Sequence, residues 1–242
     1  MEVLRNYNVY LSGMEKSNNE KLFFLDMLNI TQFDRIIDFG CGRGDILRAC
    51  ALHGGENLIG IDHDLAMIKL AKQNVPGATF TNKLDKTMVD EKTLIIFSSV
   101  LHEVGDDWNE IEKILAGSGS TVVVRDMYYT SDDNFRLGKD ELSKLIRYSQ
   151  PKILADFVEK YGLVREKDMI HYLLKYTYID NWQLELAEDY FSFDFDRLFK
   201  LGYIKYMKKY PLEYKQRSIW KDFKIWINCN THVQLIMVLN KD

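Results

Sequence analysis

Cysteine is scarce in this sequence. Cys41, Cys50 and Cys229 are the only three in 242 residues, and no two of them have C-x-x-C spacing. That scatter argues against a structural zinc site, so no metal is expected, and it points to a reducing, cytoplasmic setting. No apolar run approaches the roughly 20 residues that a membrane-spanning helix needs, so no membrane partner is expected. Met1–Tyr10 (MEVLRNYNVY) lacks the features of a secretory signal. Internal repeats and low-complexity tracts are also missing. Net charge is small, −4 from 32 Lys+Arg against 36 Asp+Glu, and says little about partners.

What is present is an ordinary globular composition, 46% hydrophobic and 28% charged, in a chain long enough for one α/β domain with an elaboration, or for one and a half domains. Strand and helix patterns alternate: strand 35–40, helix 45–53, strand 57–62, helix 64–74, strand 78–81, strand 94–100, helix 106–116 and strand 120–126. Pro76-Gly77 and Gly117-Ser118-Gly119 punctuate them. Such alternation predicts a doubly wound, mostly parallel sheet with helices on both faces. Ser17 to Ile30 reads as a lead-in helix capped by Ser17 or Asn18. After Asp126 the rhythm breaks. Helices are expected over 141–150, over 151–162 with Gly162 as its stop, and around Trp182–Tyr190, forming an α-helical cap inserted after the fifth strand. GYIKYM (202–207) and HVQLIMVLN (232–240) supply late strands, the last antiparallel. The expected organisation is a lead-in at 1–34, a ligand-binding core at 35–126, a cap at 127–200 and closing strands at 201–242.

The most informative stretch is RIIDFGCGRG, residues 35–44. A buried-strand run (Ile36, Ile37, Phe39) meets Gly40, Gly42 and Gly44 on alternate positions, and a helix pattern follows at once. Glycine permits positive φ and lets a ligand lie directly on the backbone, while the next helix aims free N–H groups at it. The second strand run, LIGID, ends in Asp62, an acid placed to accept hydrogen bonds from ribose hydroxyls. Asp38, two residues before the first glycine, could hold a ligand ammonium group through water.

DFGCGRG followed by IDHDLAMIKLAK resembles the class I S-adenosylmethionine-dependent methyltransferases, specifically over residues 35–72 and continuously to about Asp126. The resemblance implies a Rossmann-like, seven-stranded sheet, S-adenosyl-L-methionine as cofactor and methyl transfer as the activity. It further implies that Asp38, Gly40, Cys41, Gly42 and Gly44 wrap the methionine part, and that Asp62 with His63 meets the ribose. Asn82, or alternatively Asp85, falls where the family contacts adenine, and Ser98 ends the fourth strand beside the cofactor. The asparagine–proline motif of amino-directed DNA methyltransferases is replaced by SSVLH, which weakens a DNA target.

Ligands in such sheets lie at the carboxyl ends of strands, so catalytic groups are sought there. His102 has the right chemistry for a general base, and Glu103 could orient it or bind an acceptor cation. The other reading of His102 is a helix cap or a backbone hydrogen bond. Arg125 and Asp126 end the fifth strand and serve either the acceptor or a mutual ion pair. His171, Tyr172, Tyr176, Tyr178 and Trp182 either wall an acceptor pocket or form core, and His232 reads as structural. Residues 180–196 carry six acids and no Lys or Arg, whereas 200–224 carry eight bases interleaved with Tyr203, Tyr206, Tyr210, Tyr214 and Trp220. These are either two solvated faces or a basic groove for a phosphate-bearing acceptor. The acceptor is unidentified, with a small molecule favoured over RNA. Two other function classes compete: a catalytically silent cofactor-binding subunit of a partner enzyme, and a nicotinamide-dependent oxidoreductase. The glycine spacing and the lack of Tyr-x-x-x-Lys on a helix after the fifth strand speak against the last of these.

Overall fold

The computed structural model describes residues 17–129, 136–211 and 213–242. Met1–Tyr10 and the rest of the lead-in before Ser17 lie outside the described residues, as do the side chains of Asn18 and Tyr214. The strands are Arg35–Phe39 (β1), Leu58–Ile61 (β2), Thr79–Thr81 (β3), Thr93–Ser98 (β4), Thr121–Met127 (β5), Gly202–Tyr210 (β6) and His232–Leu239 (β7). They form one seven-stranded sheet in the order β3-β2-β1-β4-β5-β7-β6. β1 pairs in parallel with both β2 and β4, β2 with β3, and β4 with β5. β7 is the antiparallel strand, and just past its end Lys241 bridges Ser118 in antiparallel fashion. The sheet is therefore the mostly parallel, doubly wound one that the strand–helix alternation predicts. No helix among the described residues is long and apolar enough to cross a membrane.

By contact density the chain divides into two compact units. The first comprises Asn18–Asp126, Ser192–Lys208 and Val233–Asp242. Its central strands are buried on both faces, which is why β1, β2, β4 and β5 read as continuous apolar runs rather than alternating ones. Successive side chains still go to opposite faces. Ile36, Leu94, Ile96, Val123 and Ile236 pack in one cluster with Phe24, Leu47 and Cys50. On the opposite face Phe39 lies 5.4 Å from Phe97, which meets the buried Trp108 at 6.2 Å, and Trp108 meets Phe193 edge-on at 4.8 Å. Trp108 opens a helix, Trp108–Leu115, while Asp45–Leu52 and Leu65–Asn74 follow β1 and β2.

The lead-in departs from the single helix expected over Ser17–Ile30. Only Asn18–Lys21 is α-helical, and Phe23–Asp26 and Ile30–Gln32 are tight 3-10 turns. Four consecutive apolar residues, Leu22 to Leu25, cannot share one face of an α-helix. The tighter turn buries Phe24 completely, and Asn29 then accepts the Thr31 N–H at 3.2 Å and starts a new turn.

The second unit contains Met127–Phe191 and Lys209–His232. Its helices are Lys139–Tyr148, Pro151–Tyr161, Glu166–Tyr176, Trp182–Ala187 and Glu213–Phe223. Gly162 (φ 74°) stops the second of these, and its N–H donates to Val158 O at 2.9 Å. The helix Glu166–Tyr176 is absent from the sequence-based reading because Asp168 to Lys175 are buried all round, leaving no polar stripe to betray a 3.6-residue period. Tyr172 and Trp182 belong to this unit's own core, with Phe157, Leu173 and Phe223.

Gly60, in the middle of β2, couples the sheet to the turn after β1. A Cβ there would lie 2.6 Å from the Phe80 ring and 2.8 Å from Cys41 Sγ. Gly60→Ala is expected to destabilise the fold by about 1–3 kcal/mol, the usual cost of overpacking. Urea unfolding of parent and variant checks this, and equal midpoints would show that Phe80 and Cys41 yield freely.

Candidate functional site

All three glycines of the turn have positive φ: Gly40 at 74°, Gly42 at 50° and Gly44 at 82°. The N–H groups of Gly40 and Cys41 both donate to Ile61 O, at 2.8 and 2.9 Å, so the turn is anchored on the end of β2. Gly42 N–H donates to Asp62 Oδ2 at 2.7 Å, and Asp62 Oδ1 accepts the Asp64 N–H at 2.8 Å. An ionised carboxylate offers about four acceptor positions, so Asp62 keeps capacity for two hydroxyls. Gly44 precedes the helix Asp45–Leu52 as its left-handed N-terminal residue. Cys41 turns its side chain inward, where burial and the nearby Asp38 and Asp62 push its thiol far above the ordinary range. It is therefore a buried thiol and not a thiolate.

Asp38 is almost wholly buried, and neither carboxyl oxygen has a hydrogen-bond partner. The hydroxyl of Ser98, at the end of β4, is likewise buried and unpartnered. Three such oxygens at the carboxyl ends of neighbouring strands are costly unless donors or acceptors arrive from elsewhere. Burial pushes the Asp38 carboxyl up to about 8; Lys21 opposes this, and Asp62 and Asp45 add to it. Burial, then repulsion from Arg125, lowers Lys21 to about 8. Lys21 therefore joins the site, a residue that sequence reasoning missed because only packing of the lead-in brings it within the field of Asp38. Arg125 donates to Ser99 Oγ at 2.7 Å and to Glu20 Oε2 at 3.2 Å. Ser99 itself is held at φ 59°, a left-handed conformation uncommon outside glycine.

Asp126 follows Arg125 and, by strand alternation, points to the opposite face. Its Oδ2 accepts the N–H groups of Val100 (2.9 Å) and Leu101 (2.7 Å), and its Oδ1 lies 2.7 Å from His102 Nδ1. An acceptor-only carboxylate places the proton on Nδ1, so Nε2 is the basic nitrogen. Glu103 Oε1 lies 3.7 Å from that Nε2, and Ser192 donates to the His102 carbonyl at 3.2 Å. His102 is thus held by a carboxylate, and the two charged residues ending β5 serve separate partners.

His63, Asn82 and Asp85 differ in exposure and in partners. His63 has a side chain 93% exposed and 4.0 Å from Asp62 Oδ1. Asn82 is exposed on the rim of a cavity of about 350 Å³ lined by Phe39, Leu84, Asp107, Glu110 and Ile111. Asp85 is engaged elsewhere, accepting from Thr87 N–H at 2.8 Å and Thr87 Oγ1 at 2.7 Å. In the second unit, buried His171 accepts the Tyr190 N–H at 3.3 Å. Fully buried Lys175 donates to the carbonyls of Glu185 and Glu188 and lies 3.8 Å from the Tyr190 ring centroid. His232 Nδ1 lies 2.7 Å from Thr231 Oγ1.

Residues 36–119 match the family described as Methyltransferase domain. A presumptive methyltransferase, 235L of Invertebrate iridescent virus 6, is 38% identical over 77 residues, covering 31% of this chain and 29% of that protein. An uncharacterized methyltransferase of Oceanobacillus iheyensis is 27% identical over 138 residues, covering 52% of this chain and 61% of that one. The chain thus spans less than two thirds of the length of either curated relative. Among solved structures, a presumptive S-adenosylmethionine dependent methyltransferase from Listeria monocytogenes superposes with a TM-score of 0.55 at 13% identity, covering 93% of this chain and 100% of that one. A geranyl diphosphate C-methyltransferase from Streptomyces coelicolor gives 0.50 at 12% identity, covering 92% and 78%. At these identities the structural likeness establishes the fold.

The buried Asp38–Lys21 pair carries a pH signature. Asp38 titrates near 3.8 when unfolded and about 8 when folded, so the folded state holds an extra proton between these values and stability falls as pH rises through that window. Lys21 moves from 10.5 to about 8, so the unfolded state holds the extra proton from pH 8 to 10.5 and stability recovers there. Asp38→Asn should abolish the first slope, gaining on the parent by up to about 1.4 kcal/mol per pH unit, the value for one proton. Urea unfolding at pH 5 and pH 8 measures it; a gap independent of pH would mean that Asp38 is ionised in the fold.

Proposed function

We propose that this chain, which carries a class I methyltransferase domain over residues 36–119, is an S-adenosylmethionine-dependent methyltransferase whose acceptor loses a proton as it is methylated. The observation that carries the reading is the set of orphaned oxygens of Asp38 and Ser98 beside a glycine turn tied to Asp62. These residues fit the cofactor: Asp38 and Ser98 offer buried acceptors to its ammonium group, Asp62 offers acceptors to ribose hydroxyls, and Gly40, Gly42 and Gly44 leave the backbone bare. Cys41 contributes main chain only, and Asn82 and His63 are assigned to the adenosine end. When bound, S-adenosylmethionine supplies a methyl group already activated on a sulfonium, so alignment provides much of the rate.

The chain's own chemistry then concerns the acceptor proton. His102 Nε2 takes it, Nδ1–H stays on Asp126 Oδ1, and the resulting imidazolium faces a carboxylate that two backbone N–H groups hold in place. Glu103, near Nε2, orients the ring or receives a cationic acceptor. Arg125 is assigned a positioning role through Ser99 and Glu20. A silent cofactor-binding subunit has no use for a buried His–Asp pair, which favours the enzyme. The segment 127–200 is assigned to acceptor recognition because its helices interrupt the strand–helix rhythm after β5. The acceptor class proposed is a small molecule bearing a hydroxyl or ammonium group.

Calorimetry with S-adenosylmethionine should show saturable binding to the parent and none to Gly42→Val, whose branched side chain fills the turn. Asp62→Ala should weaken binding by about 1–3 kcal/mol, the range for unpaired polar groups. Equal affinities in all three proteins would overturn the cofactor assignment. Methyl-labelled cofactor incubated with small-molecule and RNA extracts tests turnover. His102→Ala should lower label transfer about 100-fold with cofactor affinity unchanged, within the usual range for removing a general base. A fully active variant would return His102 to a structural role.

A further inference from the structure

The helix Glu213–Phe223 buries one side and leaves the other aromatic and basic. Lys215, Gln216, Ile219 and Phe223 are buried. Arg217, Trp220, Lys221 and Lys224 are exposed at positions i, i+3, i+4 and i+7, one face of the helix. Lys224 ends it in the left-handed region (φ 56°); its N–H donates to Trp220 O at 3.0 Å and its Nζ to Lys221 O at 2.9 Å. That reversal sends the chain back along the helix, with Ile225 and Ile227 buried and Trp226 exposed between them. Gln216 clamps the return, its Oε1 accepting the Ile227 N–H at 3.1 Å while its Nε2 donates to Ile227 O. Trp226 is thereby held beside Trp220, with ring centroids 6.5 Å apart and planes at 71°.

Both indoles are about half exposed, at 49% and 55%. Two rigidly placed tryptophans on a surface are unusual unless they meet something. Among the described residues neither Arg217 nor Lys221 has an ion-pair partner, so both cations are available beside the rings. No aliphatic side chain between 213 and 230 ranks among the exposed large hydrophobics, and Asp222 and Asn228 are exposed there. A surface built to enter a bilayer would add aliphatic area, whereas a stacking platform needs flat rings flanked by cations.

We propose that this face binds single-stranded nucleic acid, bases stacking on Trp220 and Trp226 and phosphates meeting Arg217, Lys221 and Lys224. The proposal goes beyond methyl transfer and requires no cofactor. The test is fluorescence anisotropy of a fluorescein-labelled 20-nucleotide oligouridylate with the full chain, cofactor omitted. Saturable binding should weaken about 20-fold between 50 and 200 mM salt, as three phosphate contacts on a single strand imply. Trp220→Ala with Trp226→Ala should weaken it by about 30-fold or more, the lower end of the range for losing two stacked bases. Arg217→Glu with Lys221→Glu should weaken it and flatten the salt dependence. All four side chains are exposed, and circular dichroism confirms the fold of each variant. The proposal is overturned by no binding at 50 mM salt, by equal affinity in the tryptophan variant, or by preference for duplex over single strand. Binding confined to phosphatidylglycerol vesicles, or a tryptophan-dependent change of mass in light scattering without oligonucleotide binding, overturns it equally.

Discussion

The Asp62 carboxylate joins two chain segments that are 20 residues apart, and the geometry of the site depends on that junction. One oxygen holds the Gly42 N–H and the other the Asp64 N–H, so the turn after β1 and the entry to the helix after β2 are fixed by a single side chain. Charge-assisted hydrogen bonds of this kind are stronger than neutral ones, and their donors are backbone groups that a tight turn would otherwise leave unpaired. The glycines make the junction possible. At Gly40 the backbone has φ 74° and a Cβ would lie 2.6 Å from Val100 Cγ2, so a side chain is excluded on both conformational and steric grounds.

From that junction the strand pleat separates two chemistries. Asp38 and Arg125 belong to one face of the sheet and Asp126 to the other, because neighbouring side chains on a strand point opposite ways. On the first face the oxygens of Asp38 and Ser98 are buried without hydrogen-bond partners, and burial raises Asp38 and lowers Lys21. On the second, Asp126 is satisfied by two N–H groups and a histidine. An unsatisfied face suits a ligand that brings its own donors; a satisfied one suits a group whose proton must move predictably. The mutual Arg125–Asp126 pair considered from sequence gives way to this division of labour.

Much of the core was legible because its signals are local. Ile36, Ile37 and Phe39, the three glycines and Asp62 lie within one strand–turn–helix–strand unit, and each follows from spacing and backbone chemistry. The lead-in departs from one helix because Leu22 to Leu25 present more apolar surface than one helical face can bury, and Phe24 takes the core position. Glu166–Tyr176 escaped notice for the opposite reason: a helix buried on all sides has no amphipathic period. The sequence shows 200–224 only as bases interleaved with aromatics, and the exposed Trp220–Trp226 pair at its end depends on Lys224 adopting a left-handed turn.

The sequence by itself determined where a bare backbone turn meets an acid at the end of the next strand, since glycine's freedom and the strand period act over a few residues. Only the tertiary structure decided which charged groups share an environment. Lys21 comes within the field of Asp38 from 17 positions away, and His102 meets Asp126 across 24. Such pairings depend on strand order and on which face of the pleat each side chain takes, and burial then sets their protonation; none of these is encoded in residue spacing.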